Sequence, residues 1–144
     1  MAKSTDVCNS ILALIFNATA WADIAENDNS GPLTYLWVSL HTGDPGVGGS
    51  QLTNEATYEA YGRLGIIRTT SGWEVPNAGS TSNAALAQFV ECSGSSNVIT
   101  HVAIGKLETG AGKVLYAGEL SSPRTISAGI QPQFSENALV VTET

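Results

Sequence analysis

Apolar residues near the start of the chain recur at spacings of three and four, as they do along one face of an α-helix. These residues are Val7, Ile11, Leu14, Ala18 and Trp21. Ser4 offers an N-cap oxygen, and Asp6 places a negative charge in the first turn, where the helix dipole favours it. Residues 27–32 bring turn-forming side chains and a proline, which cannot continue a helix. The pattern predicts one helix within residues 1–26.

From residue 33 onwards the period of the apolar positions changes to two. Leu36, Val38 and Leu40 share one face of the segment 36–41, as in a half-buried β-strand. Similar short segments follow, separated by Gly, Ser, Asn and Pro. They are residues 63–68, 73–76, 85–92, 98–104, 114–120, 125–127, 130–134 and 139–142. The sequence therefore predicts a succession of short strands joined by turns.

No helical pattern lies between these segments, so the chain has no crossover helices of the kind that parallel strands need. The strands must pair mainly antiparallel, and two packed sheets, as in a jelly roll or an immunoglobulin-like sandwich, accommodate their number. The cysteine pair around a core tryptophan that is typical of immunoglobulin domains does not occur. We predict one all-β domain over residues 1–144, with an N-terminal α-helix within 1–26 and an antiparallel two-sheet sandwich of jelly-roll or Greek-key type over 33–144.

The longest segment without periodicity covers residues 42–60 and is rich in Gly, Thr, Asn and Glu. It contains the turn sequence Asp44-Pro45-Gly46, followed by the permissive Gly48-Gly49-Ser50. Loops of this length in compact domains are commonly functional or mobile, and a plain solvent-exposed connection is the competing interpretation. The predicted contact elements are this loop and the amphipathic N-terminal helix.

The net charge of −7 limits the classes of partner. No basic residue lies between Lys3 and Arg63, so the clustered positive charge that binds phosphate backbones is missing. We expect no nucleic-acid partner, and a basic surface on anything that the first half of the chain binds electrostatically. The apolar run at residues 11–16 is too short to span a bilayer, and no signal peptide opens the chain. We therefore expect no membrane association, and synthesis in the cytosol.

Residues suited to catalysis are few. His41 and His101 are the only histidines, and no nucleophile motif surrounds a serine. His41 and Asp44 form a weak metal-type pair, and a hydrogen-bonded structural role is the expected one for His41. Cys8 and Cys92 lack metal-type spacing, and we interpret both as reduced, partly buried thiols. We predict a protein without enzymatic activity, metal or cofactor.

The aromatic residues provide the main binding signal. Trp and Tyr side chains form stacking platforms for sugars or anchors in protein interfaces, although most of them pack in or beside a core. We expect core or edge positions for Trp37 and Trp73. The predicted interface residues are Trp21, Tyr35, Tyr58 and Tyr61.

The order of several short motifs resembles a group of small virion proteins of tailed bacteriophages. The first motif reads LWVSLHTGDPG at residues 36–46, and a later one reads THVAIG at residues 100–105. Further matching segments are residues 54–58, 61–63, 71–73, 82–85, 115–120 and 130–134. The resemblance extends over nearly the whole chain, and the order of the motifs is more specific than any one of them.

The resemblance implies a structural function in the virion. The group includes a jelly-roll cement protein that forms a dimer on a podophage capsid, and many of its members are labelled tail-fibre proteins. By this likeness we expect a homodimer that binds the major capsid protein on the outer capsid surface and stabilises the shell. A tail-fibre or receptor-binding component with affinity for a glycan is the alternative. The resemblance carries over no catalytic residue.

Overall fold

The computed structural model of the protein describes residues 3–21, 24–25 and 33–144. Over these residues the chain forms one α-helix and eight β-strands in antiparallel sheets. The helix is α1 (Thr5–Phe16), and the strands are β1 (Tyr35–His41), β2 (Leu64–Ile67), β3 (Ser80–Ser82), β4 (Ala87–Gln88), β5 (Asn97–Gly105), β6 (Val114–Ile126), β7 (Gln133–Phe134) and β8 (Val140–Thr142). The predicted antiparallel all-β class with an N-terminal helix is confirmed.

Helix α1 begins where the sequence predicts but ends earlier. The Ser4 hydroxyl accepts a hydrogen bond from the Val7 amide at 3.3 Å and so caps the first turn. The helix stops after Phe16 because Ala18 adopts a left-handed φ of 53°, which a right-handed helix cannot continue. Within the predicted range, residues 17–21 and 24–25 are not helical. Residues 1–2, 22–23 and the predicted turn at 27–32 lie outside the described residues, as does residue 26.

The buried face of α1 differs from the predicted apolar stripe. The fully buried helix side chains are Cys8, Leu12 and Phe16, whereas the predicted residues Val7, Ile11 and Leu14 are half-buried, and Ala18 and Trp21 follow the helix. Residues 11–16 are apolar without interruption, so spacing alone fits two neighbouring faces. Packing selects between them, since the Phe16 ring meets Trp73 edge-to-face with centroids 4.6 Å apart.

The Arg68 guanidinium closes the C-terminal end of α1. It donates to the carbonyl oxygens of Leu14 at 2.8 Å and Ile15 at 2.6 Å, and to that of Leu33 at 2.8 Å. The last carbonyls of a helix have no partner within it, and their partial negative charge favours a cation. Arg68 therefore supplies the positive charge that the last turn of α1 lacks.

The largest sheet has four strands in the order β2-β1-β5-β6. Strand β1 pairs with β5 in a continuous register that ends with His41 opposite His101. The connection at residues 106–113 joins β5 to β6 as a hairpin, in agreement with the turn expected between the predicted strands 98–104 and 114–120. This sheet carries the longest connection in the described chain, residues 42–63 between β1 and β2.

Strand β6 unites two strands that the sequence predicts separately, at 114–120 and 125–127. Glu119 lies opposite His101 and Arg124 opposite Ile99, so residues 120–123 of β6 face a single β5 residue. This large bulge contains Pro123, which cannot donate to a ladder. The predicted break is therefore present as an irregularity within one strand.

The two smaller sheets pair β3 with β8 and β4 with β7. The apolar pattern does not predict β3, because its side chains are Ser-Thr-Ser. The predicted strand at 73–76 forms one isolated bridge instead, between Trp73 and Asn83, and Glu74 N donates to Ser82 O at 2.8 Å. Of the predicted segments 85–92 and 130–134, only β4 and β7 have strand geometry.

The chain divides into two compact units. The first comprises Met1–Tyr35, Ile66–Ala87 and Phe134–Thr144, and the second comprises Leu36–Gly65 and Gln88–Gln133. The core of the first includes Leu12, Phe16, Trp73, Leu139 and Val141, and that of the second includes Leu36, Val38, Leu40, Phe89, Ile99 and Ile126. The core position expected for Trp73 is confirmed. The single domain and the jelly-roll connection of the sheets stay predictions.

A two-residue turn, Ala78-Gly79, leads into β3. Asn77 and Ser80 exchange backbone hydrogen bonds at 2.9 and 3.0 Å, and Ala78 and Gly79 have φ values of 50° and 76°. Two positive φ values in a two-residue hairpin are typical of a type I′ turn, which favours Asn or Gly at both central positions. Ala78 is exposed and occupies the left-handed region at a cost that glycine would not incur.

We expect Ala78→Gly to stabilise the protein by about 0.5–1 kcal/mol, because the substitution removes the Cβ penalty at a positive φ. Ala138→Gly is the matched control, since Ala138 is also exposed but is not among the residues with positive φ. The control substitution should leave stability unchanged or lower it. Urea unfolding midpoints measure both effects, and a lower midpoint for Ala78→Gly would contradict the turn geometry.

Candidate interaction surface

The loop at residues 42–60 lies in the second unit and consists of successive tight turns. Gly49 N donates to Gly46 O at 3.2 Å, and Thr53 N donates to Ser50 O at 2.9 Å. The first turn carries Val47, which is fully exposed, and the second carries Leu52, which is 54% exposed. Two apolar side chains thus lie in solvent on a loop with regular hydrogen bonding, which is the sort of feature that marks an interaction surface.

The two ends of this loop are joined to each other. Thr42 N donates to Asn54 O at 2.8 Å, and the Asn54 side-chain amide donates to Asp44 O at 2.9 Å. The Asp44 carboxylate in turn accepts from Gly46 N at 2.8 Å, as in an Asx turn. Each bond shortens the free length of the loop and lowers the conformational entropy that remains to be lost on binding.

Gln51 links the loop to the β5–β6 connection. This side chain is fully buried. Its amide donates to Leu107 O at 3.2 Å and accepts from Leu107 N at 3.0 Å, while Gln51 N donates to Gly112 O at 2.8 Å. The side chain of Leu107 itself is 46% exposed. Three exposed apolar side chains, those of Val47, Leu52 and Leu107, therefore lie on two loops that share one set of hydrogen bonds; we name these two loops the paired-loop surface.

A buried ion pair lies beneath the paired-loop surface. Arg63 Nε and Nη2 donate to the two carboxylate oxygens of Glu55 at 2.6 and 2.8 Å, and the two side chains are only 3% and 11% exposed. Arg63 also donates to Leu107 O at 2.9 Å and to Gly110 O at 2.8 Å. Because a planar guanidinium binds a carboxylate with two parallel bonds, this contact fixes orientation as well as distance.

Tyr61 and Tyr58 extend this buried network. The Tyr61 hydroxyl donates to Glu55 Oε1 at 3.0 Å and accepts from Leu40 N at 3.1 Å, and burial raises the pKa of this hydroxyl. Tyr58 packs edge-to-face on Tyr61 with centroids 5.2 Å apart and donates to Val90 O at 3.2 Å. Burial, with the Cys92 thiol nearby, raises the pKa of Tyr58 to about 12. Both tyrosines therefore stay neutral hydrogen-bond donors at physiological pH.

His41 occupies the buried end of β1. Its Nδ1 donates to Thr53 O at 2.8 Å, which leaves Nε2 as the acceptor for the Ser39 hydroxyl at 2.9 Å. Both side chains are completely buried, so this serine–histidine pair has no access to a substrate. Burial lowers the pKa of His41, because the charged imidazolium loses hydration there. The hydrogen bonds expected for His41 are confirmed.

The four predicted interface residues occupy different environments. Tyr58 is buried, Tyr61 and Trp21 are half-buried, and Tyr35 is 43% exposed. Tyr58 and Tyr61 meet beneath the paired-loop surface, whereas Tyr35 and Trp21 belong to the other unit. Sequence reasoning identified the loop but not its exposed residues Val47 and Leu52. The signal for Val47 was an apolar residue isolated among turn formers in Pro45-Gly46-Val47-Gly48-Gly49.

Other chemistry is sparse in the part of the chain that the structure describes. Cys8 and Cys92 are free, as the sequence predicts, and both are buried rather than partly buried. Over residues 3–21, 24–25 and 33–144, no three His, Cys, Asp or Glu side chains group as metal ligands would. The one helix in these ranges is too short to cross a bilayer.

Comparison with known protein families gives one match that covers almost the whole chain. The family model described as podophage GP4 fiber I protein gp80 matches residues 2–142. The chain belongs to this family. No curated protein shows a significant sequence match to the chain. As a member of this fibre-related gp80 family, the protein is a structural component of a bacteriophage virion, which agrees with the resemblance seen in the sequence.

The tight turn at residues 45–49 of this gp80-family chain requires a glycine at position 49. A Cβ at Gly49 would lie 1.8 Å from Pro45 O, whereas a Cβ at Gly48 would meet nothing within 4 Å. We expect Gly49→Ala to destabilise the protein by about 1–3 kcal/mol, because the backbone must shift to relieve the overlap. Gly48→Ala should be close to neutral. Thermal unfolding compares the two variants, and equal melting temperatures would show that Gly49 does not approach Pro45 O as closely as described.

The burial of His41 predicts an acid-sensitive stability. Its pKa is below the ordinary value of 6.5 in the folded chain, so between these two values the unfolded chain binds one proton more than the folded chain. The free energy of unfolding should therefore decrease as the pH falls below about 6.5, by up to about 1.4 kcal/mol per pH unit. Urea unfolding from pH 7.5 to 5.5 measures this slope. His41→Gln should flatten it, and an unchanged slope in this variant would contradict the assignment.

Proposed function

We propose that this virion protein is a capsid decoration, or cement, protein that binds the major capsid protein on the outer shell and bridges neighbouring subunits. One observation carries the proposal: the paired-loop surface holds Val47, Leu52 and Leu107 in solvent while hydrogen bonds and a buried ion pair fix the loops beneath them. Exposed apolar side chains on fixed loops suit recognition of another protein.

The energetic argument rests on preorganisation. Burying one Val or Leu side chain stabilises a complex by about 1.5–3 kcal/mol. Ordering a flexible loop on binding offsets much of this gain, at about 1–2 kcal/mol for each residue whose backbone becomes fixed. Because residues 42–60 are already joined to each other and to the β5–β6 connection, little of that cost remains. A modest apolar contact can therefore produce net affinity.

Repetition of the same contact over the many subunits of a capsid would let weak individual contacts stabilise the shell. Compressed DNA loads the capsid outward, and a protein that bridges subunits adds binding free energy that must be lost before the subunits separate. We propose that the protein acts as a homodimer, since a dimer with two shell-facing surfaces turns the second contact into an intramolecular one and raises retention through effective concentration. Many weak contacts would then resist the load together.

The proposal involves binding and no catalysis. The Ser39–His41 pair has the hydrogen bond that activates a nucleophile, but both residues are fully buried and the second imidazole nitrogen meets a backbone carbonyl rather than a carboxylate. The same atoms instead connect β1 to Thr53 of the loop. We propose that this buried pair supports the loop and does not turn over a substrate.

A tail-fibre component is the second candidate, and the description of the family, which names a fiber protein, favours it. A fibre component would be present in few copies near one vertex and would bind a receptor or another tail protein. The exposed loops of the protein suit such a contact as well. Copy number and position on the particle distinguish the two functions.

Cryo-electron microscopy of intact particles tests the proposal directly. We expect density for the protein in many copies over the icosahedral shell, and particles assembled without it should lose infectivity at a lower temperature or lower salt than wild-type particles. Density confined to the tail vertex, with unchanged heat resistance of the deletion particles, would overturn the cement function in favour of the fibre. Binding of the purified protein to a glycan array would independently support the fibre.

A further inference from the structure

Four titratable side chains lie in one row across the four-stranded sheet and the loop beside it. Glu55 of the loop forms a bridge with His41 at the end of β1. His41 lies opposite His101 of β5, and His101 lies opposite Glu119 of β6. Side chains directly opposite each other in antiparallel strands are on the same face, with Cβ atoms about 5 Å apart. The sheet therefore brings two imidazoles side by side, with Glu55 next to His41 and Glu119 next to His101.

The surroundings of His41 disfavour a positive charge on its ring. Burial is the largest cause of the lowered pKa of His41. The Thr53 carbonyl and Glu55 oppose this effect, but Arg63 already binds both carboxylate oxygens of Glu55. Arg63 and His101 reinforce the effect of burial, since a cation repels an imidazolium. His41 is therefore neutral near pH 7, and a proton that enters the closed site meets little compensation.

Protonation would also disrupt the hydrogen bonds of the His41 ring. In the neutral form, Nδ1 donates to Thr53 O and Nε2 accepts from the Ser39 hydroxyl at 2.9 Å. A proton on Nε2 turns this acceptor into a donor, so the Ser39 hydroxyl has to turn away and donate elsewhere. Ala103 O is 3.5 Å from that hydroxyl, which is the far limit of a hydrogen bond. Charging the ring within the closed site therefore costs both hydration and a good hydrogen bond.

We infer that His41 is a pH-dependent switch: a proton on its imidazole opens residues 50–53 and so separates the two loops of the paired-loop surface. The ring is fully buried and contacts this segment through Thr53 O, so movement of the segment lets water reach the charged ring. Gln51 lies in the same segment, and its hydrogen bonds to Gly112 O and to Leu107 break when the segment moves. As a regulation of binding, the inference rests on the proposed function.

Hydrogen exchange of the purified full-length protein tests the switch, measured residue by residue by NMR at pH 7.5 and pH 5.5. The reporters are the amides of Gln51 and Leu107, because their hydrogen bonds join the two loops. In the open form His41 regains an ordinary pKa of about 6.5, so opening becomes up to about tenfold more favourable over this pH range. The protection factors of both reporters, corrected for the intrinsic exchange rate at each pH, should fall by the same factor.

Two neutral variants are the matched controls. His41→Asn places an amide N–H near the position of Nδ1, and His41→Gln places one near that of Nε2. Neither side chain takes up a proton in this pH range. The two reporters should then be equally protected at both pH values. A tenfold loss of protection that persists in both variants would overturn the switch, because the pH dependence would come from another group.

The wild-type chain provides a second test that does not depend on how the variants fold. An NMR titration follows the signals of the His41 ring together with the two reporters. We expect the loss of protection to follow the uptake of the proton by His41. If the ring becomes charged while Gln51 and Leu107 keep their protection, the closed site accommodates the proton and the switch is overturned. The same conclusion follows if the reporters exchange no faster than the most protected amides of the chain, since opening would then be global unfolding.

The switch and the proposed function fail separately. Particles that carry the protein are moved from pH 7.5 to pH 5.5, and the released protein is measured in the supernatant. We expect several-fold more release of wild type than of His41→Gln. If the protein is absent from the shell, the proposed function fails, and hydrogen exchange still decides the switch. If the protein is on the shell and both forms are released alike, the inference fails as a regulation of binding while the proposed function stands.

Discussion

The paired-loop surface depends on one buried ion pair, that between Glu55 and Arg63. Glu55 belongs to the long loop, and Arg63 directly precedes β2. The guanidinium uses its remaining donors on Leu107 O and Gly110 O, so one side chain binds both loops at once. Loss of one member of such a pair typically costs about 3–5 kcal/mol, since the other charge stays buried without a partner. The pair therefore determines whether the two loops have one shared conformation.

This arrangement explains how a protein with little reactive chemistry can act within a virion. A flexible loop loses conformational entropy when it binds, whereas a loop that is already fixed by Gln51, Asn54 and Glu55 loses little. Polar residues of the second unit provide this support, because His41 donates a hydrogen bond to Thr53 O and Tyr61 donates one to the Glu55 carboxylate. Buried polar groups stabilise the paired-loop surface from within, and its exposed apolar side chains are the groups that we propose contact a partner.

Much of this was predictable because the relevant signals are local. Ser4 caps the helix where the spacing indicates, and Leu36, Val38 and Leu40 form the buried row of β1. The loop at 42–60 follows from its missing periodicity, and the turn at 110–113 follows from its glycines. The break between the predicted strands, residues 121–124, corresponds to the bulge of β6, since residues 120–123 face a single β5 residue. Each of these features is decided by residues close together in sequence.

The sequence by itself determined the antiparallel all-β class, the helical start, the acidic loop and the likeness to phage virion proteins, because alternation, capping and turn chemistry act over a few residues. Only the tertiary structure decided which face of α1 is buried, that the polar segment Ser80–Ser82 is a strand, and that Tyr58 lies in a core. It also decided that Gln51 and Arg63 bind a loop some fifty residues away. Such contacts depend on the chain bringing distant backbone groups within hydrogen-bonding distance, and no local pattern records that.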